Sequence, residues 1–144
     1  MHAINPYLNF PGTTEEAFNF YKSIFGGDFP VIMRFKDTPE GSKMPADDAN
    51  KIMHMSLPIK KNMLMATDAL ESMGQSLTVG NNFHLIISAE SEEEADKLHS
   101  KLAEGGKITV PLAKASWGDY FGMVTDKFGI QWMISYDYQN RGQF

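Results

Sequence analysis

The sequence contains no cysteine, which excludes a disulfide scaffold, a thiolate metal site and a cysteine nucleophile. Positive charge is also scarce, because 13 Lys and Arg residues stand against 18 Asp and Glu residues and the formal net charge is −5. A dedicated nucleic-acid-binding protein needs a basic patch to neutralise phosphates, so this class is not expected. No apolar run approaches the roughly 20 residues that cross a bilayer, and the N-terminus lacks the pattern of a secretory signal. We therefore expect a soluble cytoplasmic protein without nucleic-acid or membrane partners.

The motifs of several enzyme classes are absent as well. The sequence has no phosphate-binding loop, no dinucleotide fingerprint after a strand, no serine-hydrolase elbow and no zinc-protease helix. Gly26-Gly27 follows a predicted helix instead of opening one, so it cannot place a phosphate at a helix N-terminus. The sequence therefore names no reaction through a motif.

A pattern that occurs twice is the main feature the chain does have. Its 144 residues are 42% hydrophobic, which suffices for the core of one compact domain. A hydroxyl residue three positions before a glutamate predicts a helix start, and a Gly-Gly pair predicts the helix end. These signals recur in the same order, which indicates an internal repeat. They are Thr13, Glu16-Ala17 and Gly26-Gly27 in the first half, and Ser91, Glu94-Ala95 and Gly105-Gly106 in the second.

Four strands are predicted in each half from runs of apolar and alternating residues. They lie near residues 3–10, 28–36, 50–59 and 62–68, and near residues 82–89, 107–114, 119–125 and 130–137. Loops are expected at 37–49 and 69–81, and turns at 60–62 and 126–129. The order βαβββ, twice, predicts an α+β fold. We expect one domain, 1–144, made of two tandem modules (about 1–70 and 82–144) that form cupped mixed sheets with the helices outside.

Alternation along the strands predicts which side chains line the cup. The predicted cup residues are Asn5, Tyr7, Asn9, His54, Ser56, Leu64, Ala66, Asp68, His84, Ile86, Ser88, Gln131, Met133 and Ser135. Trp132 alternates with Ile130 and Ile134 and is predicted to lie in the core. The methionines around residues 53–65 are typical of an adaptable core.

The chain resembles the vicinal oxygen chelate superfamily, which includes glyoxalase I, bleomycin-resistance proteins and extradiol dioxygenases, in its duplicated βαβββ order. Its motifs are similar to those of the PhnB-like branch along nearly the whole length. They are Pro6-Tyr7-Leu8, Glu16-Ala17, Tyr21, Phe25-Gly26-Gly27, Thr67-Asp68-Ala69, Trp117-Gly118-Asp119, Phe121-Gly122, residues 124–129 and Trp132. The resemblance implies a homodimer. The branch is often described as a demethylubiquinone methyltransferase, but methyl transfer from S-adenosylmethionine usually needs a larger parallel α/β domain, for which the chain has no pattern.

The resemblance also implies four metal-ligand positions, which fall on Asn5, Ala66, His84 and Met133. Only His84 is a good ligand for zinc, nickel or iron(II). We therefore expect neither a glyoxalase-type metal site nor another cofactor. The alternative is a divalent metal ion held by His54, Asp68 and His84, a donor set with the chemistry of a facial triad if the three side chains converge.

Several candidate site residues have two interpretations each. His54 is either a ligand-binding or acid–base group, or a half-buried histidine satisfied by a backbone carbonyl. Asp68 either orients His54 by accepting its N–H, or caps a turn. Trp117 and Phe121 either wall an aromatic pocket or pack in the core.

Three functions follow from these alternatives. The favoured one is a protein that binds a small organic molecule in the cup without a metal. Its ligand-binding residues would be Tyr7, His54, Asp68, His84, Trp117 and Phe121. The second is a divalent-metal-dependent lyase, isomerase or dioxygenase that uses the histidines and Asp68. The third is a structural dimer whose cup is filled by its own side chains.

Overall fold

Two four-stranded sheets, each with one long helix, make up the fold. The computed structural model describes residues 1–139, and the chain divides into two compact units, Met1–Thr78 and Val79–Phe144. In each unit a strand is followed by a helix and then by three strands. The predicted βαβββ repeat and the α+β fold class are therefore confirmed. That the two units make one domain stays a prediction.

The first unit contains the elements β1 to β4, α1 and α2. Their bounds are β1 Tyr7–Phe10, α1 Thr14–Phe25, β2 Ile32–Arg34, α2 Ala46–Ala49, β3 Ile52–Ile59 and β4 Asn62–Asp68. The strand order is β1-β4-β3-β2, in which β1 and β4 are parallel and the other neighbours antiparallel. The sheet is thus mixed, as predicted.

The prediction of a loop at 37–49 is wrong in part. This segment contains a 3₁₀ turn, Pro39–Lys43, and the one-turn helix α2. Pro39 is the first residue of the 3₁₀ turn, where its fixed φ fits and its missing N–H is not needed, and Pro45 directly precedes α2. The prolines that suggested a loop therefore begin two short helical turns.

The second unit repeats this arrangement. Its elements are β5 Leu85–Ser88, α3 Glu92–Leu102, β6 Lys107–Lys114, β7 Tyr120–Thr125 and β8 Gln131–Tyr136. The strand order is β5-β8-β7-β6, with β5 and β8 parallel. No helix within residues 1–139 is long and apolar enough to cross a membrane.

The two long helices begin in different ways. Ser91 Oγ accepts the Glu94 N–H at 3.0 Å, as predicted, while the Glu94 carboxylate accepts the N–H of Glu90. The equivalent prediction for Thr13 is wrong, because its backbone (φ −114°, ψ 16°) is not extended and its side chain makes no cap bond. Another residue must satisfy the first N–H groups of α1.

Asp68, at the end of β4, caps α1. Its Oδ1 accepts the Thr14 N–H at 2.9 Å, and its Oδ2 accepts the Ile52 N–H at 2.8 Å. The side chain is 1% exposed. A carboxylate at a helix N-terminus also complements the helix dipole. One buried side chain thus holds the start of α1, the start of β3 and the end of β4 together.

The core of the first unit lies on the sheet face that meets α1. Leu8, Ala66 and Met55 are register partners across β1, β4 and β3, and all three are buried. Phe18 and Tyr21 of α1 are buried as well and in edge contact at 5.9 Å between ring centroids. A bulge breaks the β2–β3 register at Met53, so that Ile52 takes the buried position predicted for Met53.

Apart from Met53, the predicted faces of β1, β3, β5 and β8 agree with the structure, whereas those of β4 are reversed. Leu64, Ala66 and Asp68 were expected in the cup, but they are buried on the helix side, and Met65 and Thr67 take the opposite face. The sequence of β4 does not show which face is buried, because both faces are apolar. One face carries methionines, and the other carries Leu64 and Ala66. The parallel register, which pairs Leu8 with Ala66, decides between the two.

The core of the second unit confirms the position predicted for Trp132. This side chain is 3% exposed, and its Nε1 donates to Asp126 Oδ2 at 2.9 Å. Asp126 Oδ1 also accepts the N–H groups of Phe128 and Ile130. The predicted turn at 126–129 is present, and Gly129 (φ +90°) provides its left-handed residue. The aspartate of this turn is therefore a structural group.

Asp68→Asn will lower the free energy of unfolding by about 2–4 kcal/mol, because the amide nitrogen leaves one buried N–H without an acceptor. Urea unfolding followed by circular dichroism measures the effect. The exposed Asp47 gives the control, since Asp47→Asn should change stability by less than about 0.5 kcal/mol. Equal stability of Asp68→Asn and the parent protein would refute the structural role of Asp68.

Candidate functional site

The open face of the first unit is the sheet face opposite α1. Tyr7, Met65 and Ser56 are register partners across β1, β4 and β3, one position out of phase with the buried row. His54 lies two positions before Ser56 on β3 and pairs with Met33 of β2. This face therefore combines one phenol, one imidazole and one hydroxyl with methionine side chains.

Tyr7 and His54 form a hydrogen-bonded pair on this face. The Tyr7 hydroxyl lies 3.0 Å from His54 Nδ1, and the ring centroids are 5.6 Å apart at an interplanar angle of 31°. Tyr7 remains 45% exposed, and His54 is half-buried. The pair fixes the orientation of the imidazole while both rings stay accessible from the open face.

Protonation determines what this pair presents to a ligand. Burial raises the pKa of Tyr7 above its ordinary value of 10.0, so the phenol keeps its proton at neutral pH. A phenol that donates to Nδ1 requires the neutral imidazole to carry its proton on Nε2. The second ring nitrogen is then a donor, suited to a ligand with a carbonyl or similar acceptor.

Apolar side chains surround the pair. Met33 of β2, the register partner of His54, is 37% exposed, and Met65 is half-buried. Of the methionines predicted to fill the core, only Met55 is fully buried on β3 or β4. Unbranched thioethers adapt to ligands of different shape, so the open face is an apolar surface with a fixed polar group.

Ser56 lies on the face predicted for it, but the sequence does not indicate that it is a site residue. It is 3% exposed, and its Oγ has no hydrogen-bond partner among residues 1–139. A buried hydroxyl without a partner is uncommon in proteins. Its register partners Met65 and Tyr7 place it in the same row as the Tyr7–His54 pair, so it is the second polar group of the open face. Strand alternation indicated its position, but no sequence signal showed that it would lack a partner.

Asp68 does not belong to the site. The hypothesis that it orients His54 is not met, because His54 Nδ1 pairs with Tyr7 and both Asp68 oxygens accept backbone N–H groups near α1. Its side chain lies on the helix side of the sheet. The orienting group for His54 is therefore a phenol from β1.

The second unit carries the other predicted ligand-binding residues. Trp117, in the loop before β7, is 54% exposed and meets Phe121 edge to face at 5.4 Å between ring centroids. Phe121 pairs with Ser135 of β8, on the sheet face opposite α3. His84 is half-buried and directly precedes β5. The exposure of Trp117 excludes core packing for this side chain. The aromatic pocket stays a prediction.

The glycine after Phe121 has a packing role. A Cβ on Gly122 would lie 2.9 Å from His99 Cδ2 and 3.0 Å from its Nε2. His99 is buried, and its Nε2 lies 3.1 Å from the carbonyl oxygen of Val110. Gly122 thus lets α3 approach β7 closely, which explains the glycine without a ligand.

The donor set does not fit a glyoxalase-type metal. Of the four implied positions, Ala66 is 0% exposed on the helix side, and its open-face neighbours Met65 and Thr67 bring no carboxylate or imidazole. Asn5 Oδ1 accepts the Met63 N–H at 3.0 Å, so this oxygen already has a structural role. Within residues 1–139, no three His, Asp or Glu side chains come together as metal ligands. Asp68 cannot serve in the alternative ligand set of His54, Asp68 and His84, because both of its oxygens accept backbone N–H groups on the helix side of the sheet.

Two βαβββ units with these sheets define a protein of the glyoxalase/bleomycin-resistance fold. The model of the family described as 3-demethylubiquinone-9 3-methyltransferase matches residues 2–135, and the chain belongs to this family, the PhnB-like branch of the glyoxalase/bleomycin-resistance/dioxygenase group. The chain is similar to protein YjdN of Escherichia coli, with 29% identity over 92% of this chain and 93% of that protein.

Solved structures agree with this assignment. Protein PA1353 of Pseudomonas aeruginosa superposes with a TM-score of 0.82 at 36% identity, covering 93% of this chain and 96% of that one. A PhnB protein of Bacillus cereus has a TM-score of 0.76 at 28% identity, covering 92% and 98%. The resemblance inferred from the motifs is therefore confirmed.

With Tyr7 assigned as the donor of the Tyr7–His54 hydrogen bond, we predict that neutral His54 is protonated on Nε2. Imidazole ¹⁵N chemical shifts of the protein measure this directly. In Tyr7→Phe the preference for this tautomer will weaken, because Nδ1 loses its donor. Tyr138→Phe removes a similarly exposed phenol of the second unit and should leave the spectrum of His54 unchanged. A His54 protonated on Nδ1 in the parent protein would show that the imidazole donates to the phenol oxygen, and would contradict the assignment of Tyr7 as the donor.

Proposed function

We propose that the protein binds a small organic molecule on the open face of the first unit, against Tyr7 and His54, without a metal ion. The observation that carries the proposal is the hydrogen-bonded phenol–imidazole pair on an exposed, methionine-rich surface. Mostly apolar surfaces with a few placed polar groups are typical of ligand sites. The pair has no structural task comparable to that of Asp68, because neither ring holds a helix or a turn.

The chemistry of the face indicates the ligand class. The donor at His54 Nε2 suits an acceptor such as a carbonyl oxygen, and the methionines suit an apolar or aromatic body. The Ser56 hydroxyl can donate to or accept from a second polar group. An uncharged aromatic ketone is the simplest molecule with these properties.

The aromatic pair of the second unit supports a ligand contact of its own. Trp117 and Phe121 present a ring edge and a ring face at an exposed position, where aromatic side chains are most often used for recognition. We keep Trp117, Phe121 and His84 as proposed ligand-contacting residues of that unit.

The activity in the family's description does not follow from these residues. The described sheets are four-stranded and mixed, and neither has the doubly wound parallel arrangement that holds S-adenosylmethionine or a dinucleotide in larger enzymes. The one strand-end carboxylate of the first sheet, Asp68, is committed to backbone N–H groups. We therefore derive no methyl transfer.

Titration of the protein with acetophenone tests the proposal. We expect saturable changes in the amide resonances of β1 and β3 and a rise in melting temperature, since a ligand that binds the folded state stabilises it. His54→Ala should weaken binding about tenfold, the value of one hydrogen bond near 1.4 kcal/mol. Addition of a chelator should leave the affinity unchanged.

Tyr138→Phe is the matched control, because it removes a hydrogen-bonded phenol of comparable exposure from the other unit and should not affect binding. The proposal fails if acetophenone and related ketones give no saturable change. It also fails if His54→Ala binds them as well as the parent protein does.

We also propose that the protein is a homodimer. Strand β6 is an eight-residue edge strand of the second sheet, and Ile108 and Val110 on it are 51% and 36% exposed. Exposed apolar edge strands favour pairing with another chain. Light scattering should give twice the mass of the chain, and Ile108→Lys should give the monomer. Val79→Lys, a similar change at an exposed loop residue, should leave the dimer intact; a monomeric parent protein would refute the proposal.

A further inference from the structure

Three tyrosines lie together at one end of the second sheet, on the face opposite to that of Phe121. Lys114, Tyr120 and Tyr136 are register partners across β6, β7 and β8, so their side chains start from the same face. The Tyr120 hydroxyl donates to the Asp96 carboxylate of α3, which identifies this as the helix side. The row is therefore bounded by α3.

Tyr138 completes the group two residues after Tyr136. Its ring centroid lies 5.0 Å from that of Tyr136, at 71°, and 6.3 Å from that of Tyr120, at 58°. Its hydroxyl donates to Glu92 Oε2 at 2.8 Å, and the residue is 42% exposed. We call Tyr120, Tyr136 and Tyr138, with Glu92 and Asp96, the tyrosine corner.

The charge of the tyrosine corner comes from its carboxylates. Glu92 and Asp96 are four residues apart on α3 and so lie on one side of the helix. The hydrogen bond to Asp96 raises the pKa of Tyr120 to about 12, and that to Glu92 raises the pKa of Tyr138. Tyr120 and Tyr138 consequently keep their protons at physiological pH, and aromatic ring faces carry the partial negative charge that attracts cations.

An ammonium group already occupies part of the corner. Lys114 Nζ lies 5.4 Å from the centroid of the Tyr138 ring, within the distance of a cation–π contact. Two carboxylates beside this one ammonium leave one negative charge without a counterpart within the group. The corner thus accepts an ammonium and has charge to attract a second cation.

We propose that the tyrosine corner binds a small organic cation with a methylated ammonium group. Weakly hydrated ammonium groups gain more from aromatic faces than strongly hydrated inorganic cations do, since they lose less solvation. The Tyr138 ring is set at 58° and 71° to the rings of Tyr120 and Tyr136, and such aromatic groups with carboxylates beside them suit a methylated ammonium in chemistry and charge. Lys114 competes for the Tyr138 face and weakens the binding.

Choline is the probe for the test, and its uncharged isostere 3,3-dimethylbutan-1-ol is the control ligand. Both are titrated into the full chain at constant ionic strength while the ring resonances of the three tyrosines are recorded. Choline should give saturable shifts, and the uncharged isostere should bind at least about tenfold more weakly, as expected for a contact of 1.4 kcal/mol or more.

Two variants separate the proposal from a nonspecific charge effect. Lys114→Gln should tighten choline binding several-fold, because it removes the competing ammonium. Tyr138→Leu should abolish the shifts, and its circular dichroism spectrum and thermal unfolding verify that the chain still folds. Glu92→Gln keeps the ring positions and should weaken binding through the loss of charge alone.

Each contrary result overturns the proposal. Absence of saturable shifts with choline, equal binding of the uncharged isostere, or weaker binding in Lys114→Gln would refute a cation site. A trimethyllysine peptide that binds more than about tenfold tighter than choline would assign the corner to a protein partner and refute the small-molecule assignment.

Discussion

The carboxylate of Asp68 connects three elements of the first unit, and the position of the candidate site depends on it. Because it accepts the N–H groups of Thr14 and Ile52, α1 starts over the end of β4, and that sheet face becomes the core. Register then places Tyr7, Ser56 and His54 on the opposite face. The second unit uses Asp126 for a related purpose, since that carboxylate ties the β7–β8 turn to Trp132.

Asp68 and Asp126 thus have structural roles, and neither is among the residues proposed to contact a ligand. The carboxylates of Asp68 and Asp126 are buried, and both oxygens of each accept N–H groups, so neither is exposed to a ligand. The open face of the first unit carries a phenol, an imidazole, hydroxyls and thioethers. Such a set can orient an uncharged molecule by hydrogen bonds, but it lacks the carboxylates and paired imidazoles that hold a divalent metal.

Local signals in the sequence predict the elements of this fold well. The Ser91 cap, the glycine ends of α1 and the alternation of β1, β5 and β8 all depend on neighbours within a few residues. The predictions fail where a residue that is distant in the sequence determines the local structure. Thr13 is not the cap because Asp68, 54 residues later, takes that role. The predicted faces of β4 are the reverse of those observed. The parallel pairing with β1 determines them, and it cannot be deduced from a strand that is apolar on both sides. Tyr7 and His54 were both candidates, but their mutual hydrogen bond depends on the same long-range register.

We propose that recognition on the open face uses the Tyr7–His54 pair and no metal ion. Elemental mass spectrometry of the untagged protein, expressed in plain and in zinc-, nickel-, manganese- and iron-supplemented media, tests it most directly. We predict no metal in stoichiometric amount from any medium, for the parent protein and for His84→Ala alike. A metal content near one ion per chain that is lost in His84→Ala would contradict the account and make the protein a metalloenzyme.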